Sequence, residues 1–258
     1  MTNKPTFVFV PGAGHTAETW DKVSSLLNKQ GYGSINITLP STLGDPNATY
    51  LDDIQTVRTA IISATSQGQD VIVVAHSYGG YVGASAFKDV PTVKNPPSPQ
   101  STSGKVIGHI LVASGFNVPN MTLMDAMGGK PPPSWTPDFE SGFGLFTNNP
   151  PPKELFYHDL PDAEADVWTS KLTKQSMKAL YEGAEHVYDG WRDVPNWYLV
   201  TANDRALPAE AQWKAVEMGR EAGASVEARE IAAGHSPMLA KPEETVEFFV
   251  DAATAFTK

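Results

Sequence analysis

The run Val71-Ile72-Val73-Val74-Ala75, followed at once by His76-Ser77-Tyr78-Gly79-Gly80, constrains this chain more than any other segment. An unbroken apolar run needs cover on both faces, which is the condition of a central strand in a parallel sheet. Gly79, Gly80, Gly83 and Ala84 let a helix follow closely behind a sharp turn at Ser77. Strand, tight turn and helix in direct succession put the Ser77 hydroxyl at the carboxyl edge of the sheet. The rest of the chain repeats the alternation such a sheet requires. Strand-like runs at 7–10, 35–39, 106–113, 197–201 and 226–231 are separated by helical patterns. This predicts an α/β fold, a mostly parallel sheet flanked by helices. Leu51, Ile54, Val57 and Ile61 mark the buried face of one helix, and Val246, Phe249, Val250, Ala253 and Phe256 that of the last.

Between 115 and 190 the alternation stops. This block carries Pro131-Pro132-Pro133, Asn148-Asn149-Pro150-Pro151-Pro152 and the aromatics Trp135, Phe139, Phe143, Phe146, Phe156, Tyr157, Trp168, Tyr181 and Tyr188. No strand is expected here. The block reads as a helical cap inserted over the carboxyl edge of the sheet, where open α/β folds bind ligands, with 1–114 and 191–258 forming the core. Most of its aromatics are expected to pack cap onto core, and the remainder to line an apolar pocket. Met121, Met124 and Met127 fall at helical spacing and read as a packing stripe.

Charge and cysteine usage narrow the function classes. A net charge of −10 repels phosphate backbones and anionic lipid, so neither nucleic acid nor membrane is an expected partner. With no cysteine there is neither a disulfide framework nor a thiol nucleophile nor a Cys-based zinc site. Met1-Thr2-Asn3-Lys4-Pro5 runs into the first strand without the apolar stretch of a signal peptide. No apolar run approaches the roughly 20 residues that span a bilayer. The expected location is cytoplasmic.

The chemistry then rests on oxygen and nitrogen groups. A serine hydroxyl is a weak nucleophile at neutral pH and needs a base within hydrogen-bond reach. Two further segments supply candidates in a fixed order: Thr201-Ala202-Asn203-Asp204 after one strand, and Ala233-Gly234-His235-Ser236 after the last. His235 would take the Ser77 proton and return it to the leaving group, and Asp204 would hold the imidazole in its productive tautomer. His15, His76, His109, His158 and His186 do not occupy the position this order requires. Backbone amides of Tyr78 and of Ala13, in the loop Pro11-Gly12-Ala13-Gly14-His15, are the expected oxyanion donors. That loop does not complete a dinucleotide fingerprint, since Ala17 stands where a third glycine belongs. No His-Glu-x-x-His spacing occurs, so neither a metal nor a cofactor is expected.

At these residues the chain resembles the α/β-hydrolase superfamily, in particular the branch of plant methyl esterases and hydroxynitrile lyases. The resemblance runs through Gly12-Ala13-Gly14-His15 and Trp20, Leu39-Pro40-Ser41 with Gly44, and His76-Ser77-Tyr78-Gly79-Gly80. It continues through Trp197-Tyr198-Leu199-Val200-Thr201 with Asp204 and Pro208, and Gly234-His235 with Met238-Leu239 and Pro242. It implies the α/β-hydrolase fold with catalytic Ser77, Asp204 and His235. Pro11 stands where relatives usually carry His. Cyanide-releasing relatives carry Lys after the catalytic His and Thr before the small oxyanion-loop residue, where this chain has Ser236 and Gly12. Ester hydrolysis therefore ranks above cyanohydrin cleavage. The expected activity is cofactor-independent hydrolysis of a small to medium, largely apolar ester or lactone through a Ser77 acyl-enzyme. Non-hydrolytic acyl transfer or cyclisation in secondary metabolism, and a ligand-binding receptor on the same fold, are the alternatives. The expected partner is a small molecule, with association into a homodimer left open.

Overall fold

The computed structural model describes residues 4–131, 134–147 and 149–258. Met1, Thr2 and Asn3 of the N-terminal segment, and Pro132, Pro133 and Asn148 of the two proline-rich runs, lie outside the described residues. The strands in chain order are β1 (Thr6–Val10), β2 (Gly33–Asn36), β3 (Val71–His76), β4 (Val106–Val112), β5 (Trp135–Asp138), β6 (Phe143–Phe146), β7 (Gln175–Ser176), β8 (Asn196–Thr201) and β9 (Val226–Ile231). A six-stranded sheet runs β2-β1-β3-β4-β8-β9 with every pairing parallel.

The strand period divides the core into two layers. Phe7 and Phe9 of β1, with Ile72 and Val74 of β3, point to one face. There they meet helix α1 (Asp21–Lys29) through Val23 and Leu27, and the C-terminal helix Pro242–Phe256 through Val246, Phe249 and Ala253. Val8 and Val10, with Val71, Val73 and Ala75, point to the other and meet helix α2 (Tyr50–Ser66) through Ile54, Val57 and Ile61. Thr49 starts α2 with a capping box, its hydroxyl accepting from the Asp52 amide while the Asp52 carboxylate accepts from the Thr49 amide. Helix α3 (Gly79–Ser85) lies on that same face. All four central strands, β1, β3, β4 and β8, are buried along their whole length, as the apolar runs require.

Two expectations need correction. The second strand ends at Asn36 rather than reaching Leu39, because Pro40 starts a short 3-10 turn and Leu39 is already its cap. The inserted segment is not purely helical: β5, β6 and β7 form a three-stranded antiparallel sheet beside short helices at Pro152–Phe156 and Asp162–Ser170. Pro137 obscures this hairpin in sequence, yet β5 is an edge strand, where a residue without an amide proton is tolerated. The turn is built by the Asp138 carboxylate, which accepts from the Glu140 and Ser141 amides, and by Gly142 at φ +75°. Among the described residues no helix is long and apolar enough to cross a membrane.

Candidate active site

Ser77 follows β3 directly and adopts φ +51°, a left-handed conformation that costs a residue with a Cβ about 1–2 kcal/mol. The turn is held from both sides. The Ser77 amide donates to Val112 O at 3.1 Å, and Ser77 O accepts from Gly80 N at 3.0 Å and from Ser114 Oγ at 2.5 Å. Close approach explains the glycines that follow. A Cβ on Gly79 would lie 2.5 Å from Pro11 O, and one on Gly80 would lie 2.1 Å from Ser114 Oγ.

Asp204 lies just beyond β8 and His235 just beyond β9, at the same carboxyl edge as Ser77. His235 Nδ1 donates to Asp204 Oδ2 at 2.8 Å. The carboxylate is otherwise saturated: Oδ1 accepts from the Ala206 and Leu207 amides, and Oδ2 from Thr201 Oγ1 and Gln212 Nε2. Burial pushes Asp204 up, but His235 and these donors outweigh it and hold the carboxyl below its ordinary range. The loop carrying His235 is fastened on two sides. Gly234 N donates to Asp159 Oδ2 at 2.6 Å, and the main-chain oxygen of His235 accepts from His76 Nε2 at 2.8 Å. Burial, with His235 and His15 nearby, drives His76 well below the usual histidine range, so this ring is neutral and carries its proton on Nε2. Its other nitrogen, Nδ1, is buried without a partner among the described residues and faces Gly12, where a Cβ would lie 3.0 Å away.

The loop after β1 supplies the opposite wall. His15 Nδ1 donates to Ala13 O at 2.8 Å and Tyr157 Oη donates to His15 Nε2 at 2.8 Å, linking cap to loop. Burial takes His15 down to about 4, which fixes it as a neutral ring with one donor and one acceptor. Gly14 sits at φ +69° with both sides of its backbone engaged: its amide donates to Gln175 Oε1 at 3.2 Å, and its carbonyl accepts from Thr173 N at 2.9 Å. Among the described residues, the amides of Ala13 and Tyr78 donate to no protein acceptor.

These walls enclose a cavity of about 290 Å³. Ser77, His235, Ala13 and Tyr78 line it together with Trp135, Phe146, Phe156, Met124 and Met127. Of the cap aromatics, Phe139 instead points to solvent, 77 % exposed. No lysine, arginine, aspartate or glutamate is among the described residues lining the cavity. Among the described residues no group of three or more His, Asp or Glu side chains is placed to hold a metal ion. No hydrogen bond joins Ser77 Oγ to His235 among the described residues, a condition common in unliganded sites whose contacts tighten on binding.

The structure thus brings Ser77, Asp204, His235, Ala13 and Tyr78 to one place. It adds three groups that the sequence reading left aside: His76, His15 and Asp159. His76 had a signal in its position beside Ser77, but the use of its ring depends on a carbonyl brought in from the far end of the chain.

Comparison with known proteins places the chain among proteins of one kind. The model of the alpha/beta hydrolase family matches residues 7–248. The chain is 28% identical over 251 residues to the alpha/beta hydrolase nvfD of Aspergillus novofumigatus, covering 97% of each. It is 24% identical over 269 residues to Methylesterase 1 of Arabidopsis thaliana, covering 98% of this chain and 97% of the relative. Among solved structures, that of polyneuridine aldehyde esterase superposes with a TM-score of 0.74 at 19% identity, covering 97% of this chain and 99% of that one.

Proposed function

This chain belongs to the alpha/beta hydrolase family, and we propose that it is a cofactor-independent carboxylic ester hydrolase acting on a small to medium, largely apolar ester or lactone. The observation that carries the reading is the 2.8 Å pair of His235 and Asp204, with His235 and the strained Ser77 opening onto one cavity that no Lys, Arg, Asp or Glu lines among the described residues. Such a cavity favours an uncharged substrate, since an anion there would lose its hydration without gaining a cation. Relatives that include a methylesterase agree with ester chemistry.

In this mechanism Ser77 Oγ attacks the ester carbonyl carbon while its proton passes to His235 Nε2. Asp204 stabilises the imidazolium across Nδ1. The carbonyl oxygen becomes an oxyanion that accepts from the uncommitted amides of Ala13 and Tyr78, each donor worth roughly 3–4 kcal/mol to the transition state. Collapse breaks the bond to the alcohol oxygen, which takes the proton from His235. Water then attacks the acyl carbon as its proton passes to His235, the bond from that carbon to Ser77 Oγ breaks, Oγ takes the proton back from His235, and the acid leaves. Every proton is carried by His235, so no cofactor enters these steps.

The test combines a fluorophosphonate probe with hydrolysis of p-nitrophenyl butyrate. Labelling should map to Ser77, and Ser77→Ala should abolish both labelling and turnover. Labelling at another residue, or undiminished turnover in Ser77→Ala, would overturn the reading.

A further inference from the structure

The cap reaches the reaction centre through hydrogen bonds as well as through apolar packing. Gln175, in the two-residue strand β7, is fully buried and bridges two segments: Oε1 accepts from Gly14 N at 3.2 Å while Nε2 donates to Ser41 Oγ at 2.7 Å. Ser41 passes the connection on. Its hydroxyl donates to Asp53 Oδ2 at 2.6 Å and its amide to Asp53 Oδ1 at 3.0 Å. Asp53 Oδ2 also accepts from Tyr78 Oη at 2.7 Å. Gln175, Ser41 and Asp53 are all at 0 % exposure and Tyr78 is at 2 %. The donors and acceptors match along the whole path, so one chain of direct hydrogen bonds joins the residue after Ala13 to the side chain of Tyr78.

Resting on the ester-hydrolase reading above, we propose that Gln175 is a positioning residue for the oxyanion hole, fixing through Ser41 and Asp53 the spacing between the Ala13 and Tyr78 amides. The two donors sit on separate loops, one after β1 and one after β3, and an oxyanion is stabilised only if both lie about 2.7–3.1 Å from the position it will occupy. Something must set their separation. Both peptides that flank Gly14 are gripped, the one before it by Gln175 through Gly14 N and the one after it by Thr173 through Gly14 O, which fixes the orientation of the adjoining Ala13. At the other end Asp53 fixes the Tyr78 ring. No lysine or arginine pairs with Asp53 among the described residues, and burial pushes its carboxyl up to about 6 against the pull of Ser41 and Tyr78. A lone buried carboxylate is a poor source of stability compared with an apolar side chain. Its directional bonds, in contrast, tie the Ser41 segment and the Tyr78 ring to one carboxylate.

The experiment compares Gln175→Leu and Gln175→Glu with the wild-type chain, using p-nitrophenyl butyrate, a trifluoromethyl ketone that fills an oxyanion hole, and 1-butanol as a ligand that does not. Gln175→Leu should lower kcat at least tenfold with KM within threefold. It should weaken the ketone by a similar factor and leave 1-butanol inhibition within twofold. Gln175→Glu keeps an acceptor for Gly14 N and should recover part of the loss. Should Gln175→Leu fail to fold, Gln175→Glu is held to the same split, with a smaller fall in kcat. A folded Gln175 variant with kcat within threefold of wild type, or with ketone and 1-butanol weakened equally, overturns the proposal while leaving Ser77-dependent hydrolysis intact. Loss of the underlying reading would instead appear as wild-type turnover indifferent to Ser77→Ala.

Discussion

His76 Nε2 donates to the main-chain oxygen of His235 at 2.8 Å, and the two rings stand 4.6 Å apart. The residue immediately before Ser77 therefore supports the loop that carries the imidazole, and the two halves of the site share one strut.

Replacing that strut should slow chemistry more than binding. His76→Phe retains ring volume but removes the donor, so the His235 loop loses the bond at its main-chain oxygen while those from Asn203 N to Ala233 O and from Gly234 N to Asp159 remain. The expected outcome is a fall in kcat of roughly ten- to a hundredfold with little change in KM, the scale at which an ångström of misplacement acts. Steady-state kinetics on p-nitrophenyl butyrate measures both. An unchanged kcat would show that the remaining bonds, from Gly234 N to Asp159 and from Asn203 N to Ala233 O, hold the loop without His76.

Asp204→Asn should separate geometry from charge. An amide there still accepts from Ala206 N and Leu207 N, so the fold around it survives, but the imidazolium loses its counter-charge and its tautomer is no longer dictated. A drop in kcat on the order of 10³–10⁴ is expected, with a melting temperature within a few degrees of wild type. A loss smaller than tenfold would remove Asp204 from the relay.

The glycines around the elbow should differ sharply in tolerance. Gly79→Ala drives a Cβ to 2.5 Å from Pro11 O and 2.8 Å from Val10 O, both main-chain atoms. Destabilisation of about 3 kcal/mol or more is expected by urea unfolding. Gly83→Ala places its Cβ 3.3 Å from Ala75 Cβ and 3.4 Å from Val73 Cγ1, a tight contact offset by about 1 kcal/mol of helix propensity, and should be nearly neutral.

Stability should fall as pH drops below about 6.5. Burial takes His109 and His15 down to about 4 from 6.5, so across that interval the unfolded chain binds protons that the folded chain refuses. Their contribution is complete above 6.5 and lost as pH falls toward 4. Asp53 works in the opposite sense, since burial raises it to about 6 and it takes its proton first in the folded state. His76, which burial also drives well below the usual histidine range, acts in the same sense as His15 and His109, and together the three rings outweigh the one carboxylate, so the net effect is a loss of stability toward the acid end of the interval. His109 lies in β4, its Nδ1 bonded to Asn196 Oδ1, and His109→Asn retains that donor while removing the titration. Urea midpoints measured across the interval should then show a shallower decline, and an unchanged decline would acquit His109.

Ser77, Asp204 and His235 were legible because each lies in a short segment directly after a strand, where the residue types and their order carry the information. The parallel sheet was legible for the same local reason: each of its central strands contains an apolar run, such as Phe7 to Val10 and Val71 to Ala75, with no alternation of polar residues. The cap was legible only as an interruption. Its hairpin is hidden by Pro137, and the burial of β5 and β6 does not alternate in the way an exposed sheet announces itself. Gln175 and Asp53 carry no signal in sequence, and Ser41 carries one only through the resemblance, with nothing to say what its hydroxyl does. Each is a common polar residue whose significance comes from partners 161, 134 and 25 positions away.

The double grip on Gly14 bears on how this scaffold can be re-engineered. Selectivity in such enzymes invites chimaeras in which one cap is transplanted onto another body. Here the donor segment would have to bring an amide in the place of Thr173 and an acceptor in the place of Gln175, or the recipient would inherit a new pocket above a slackened hole.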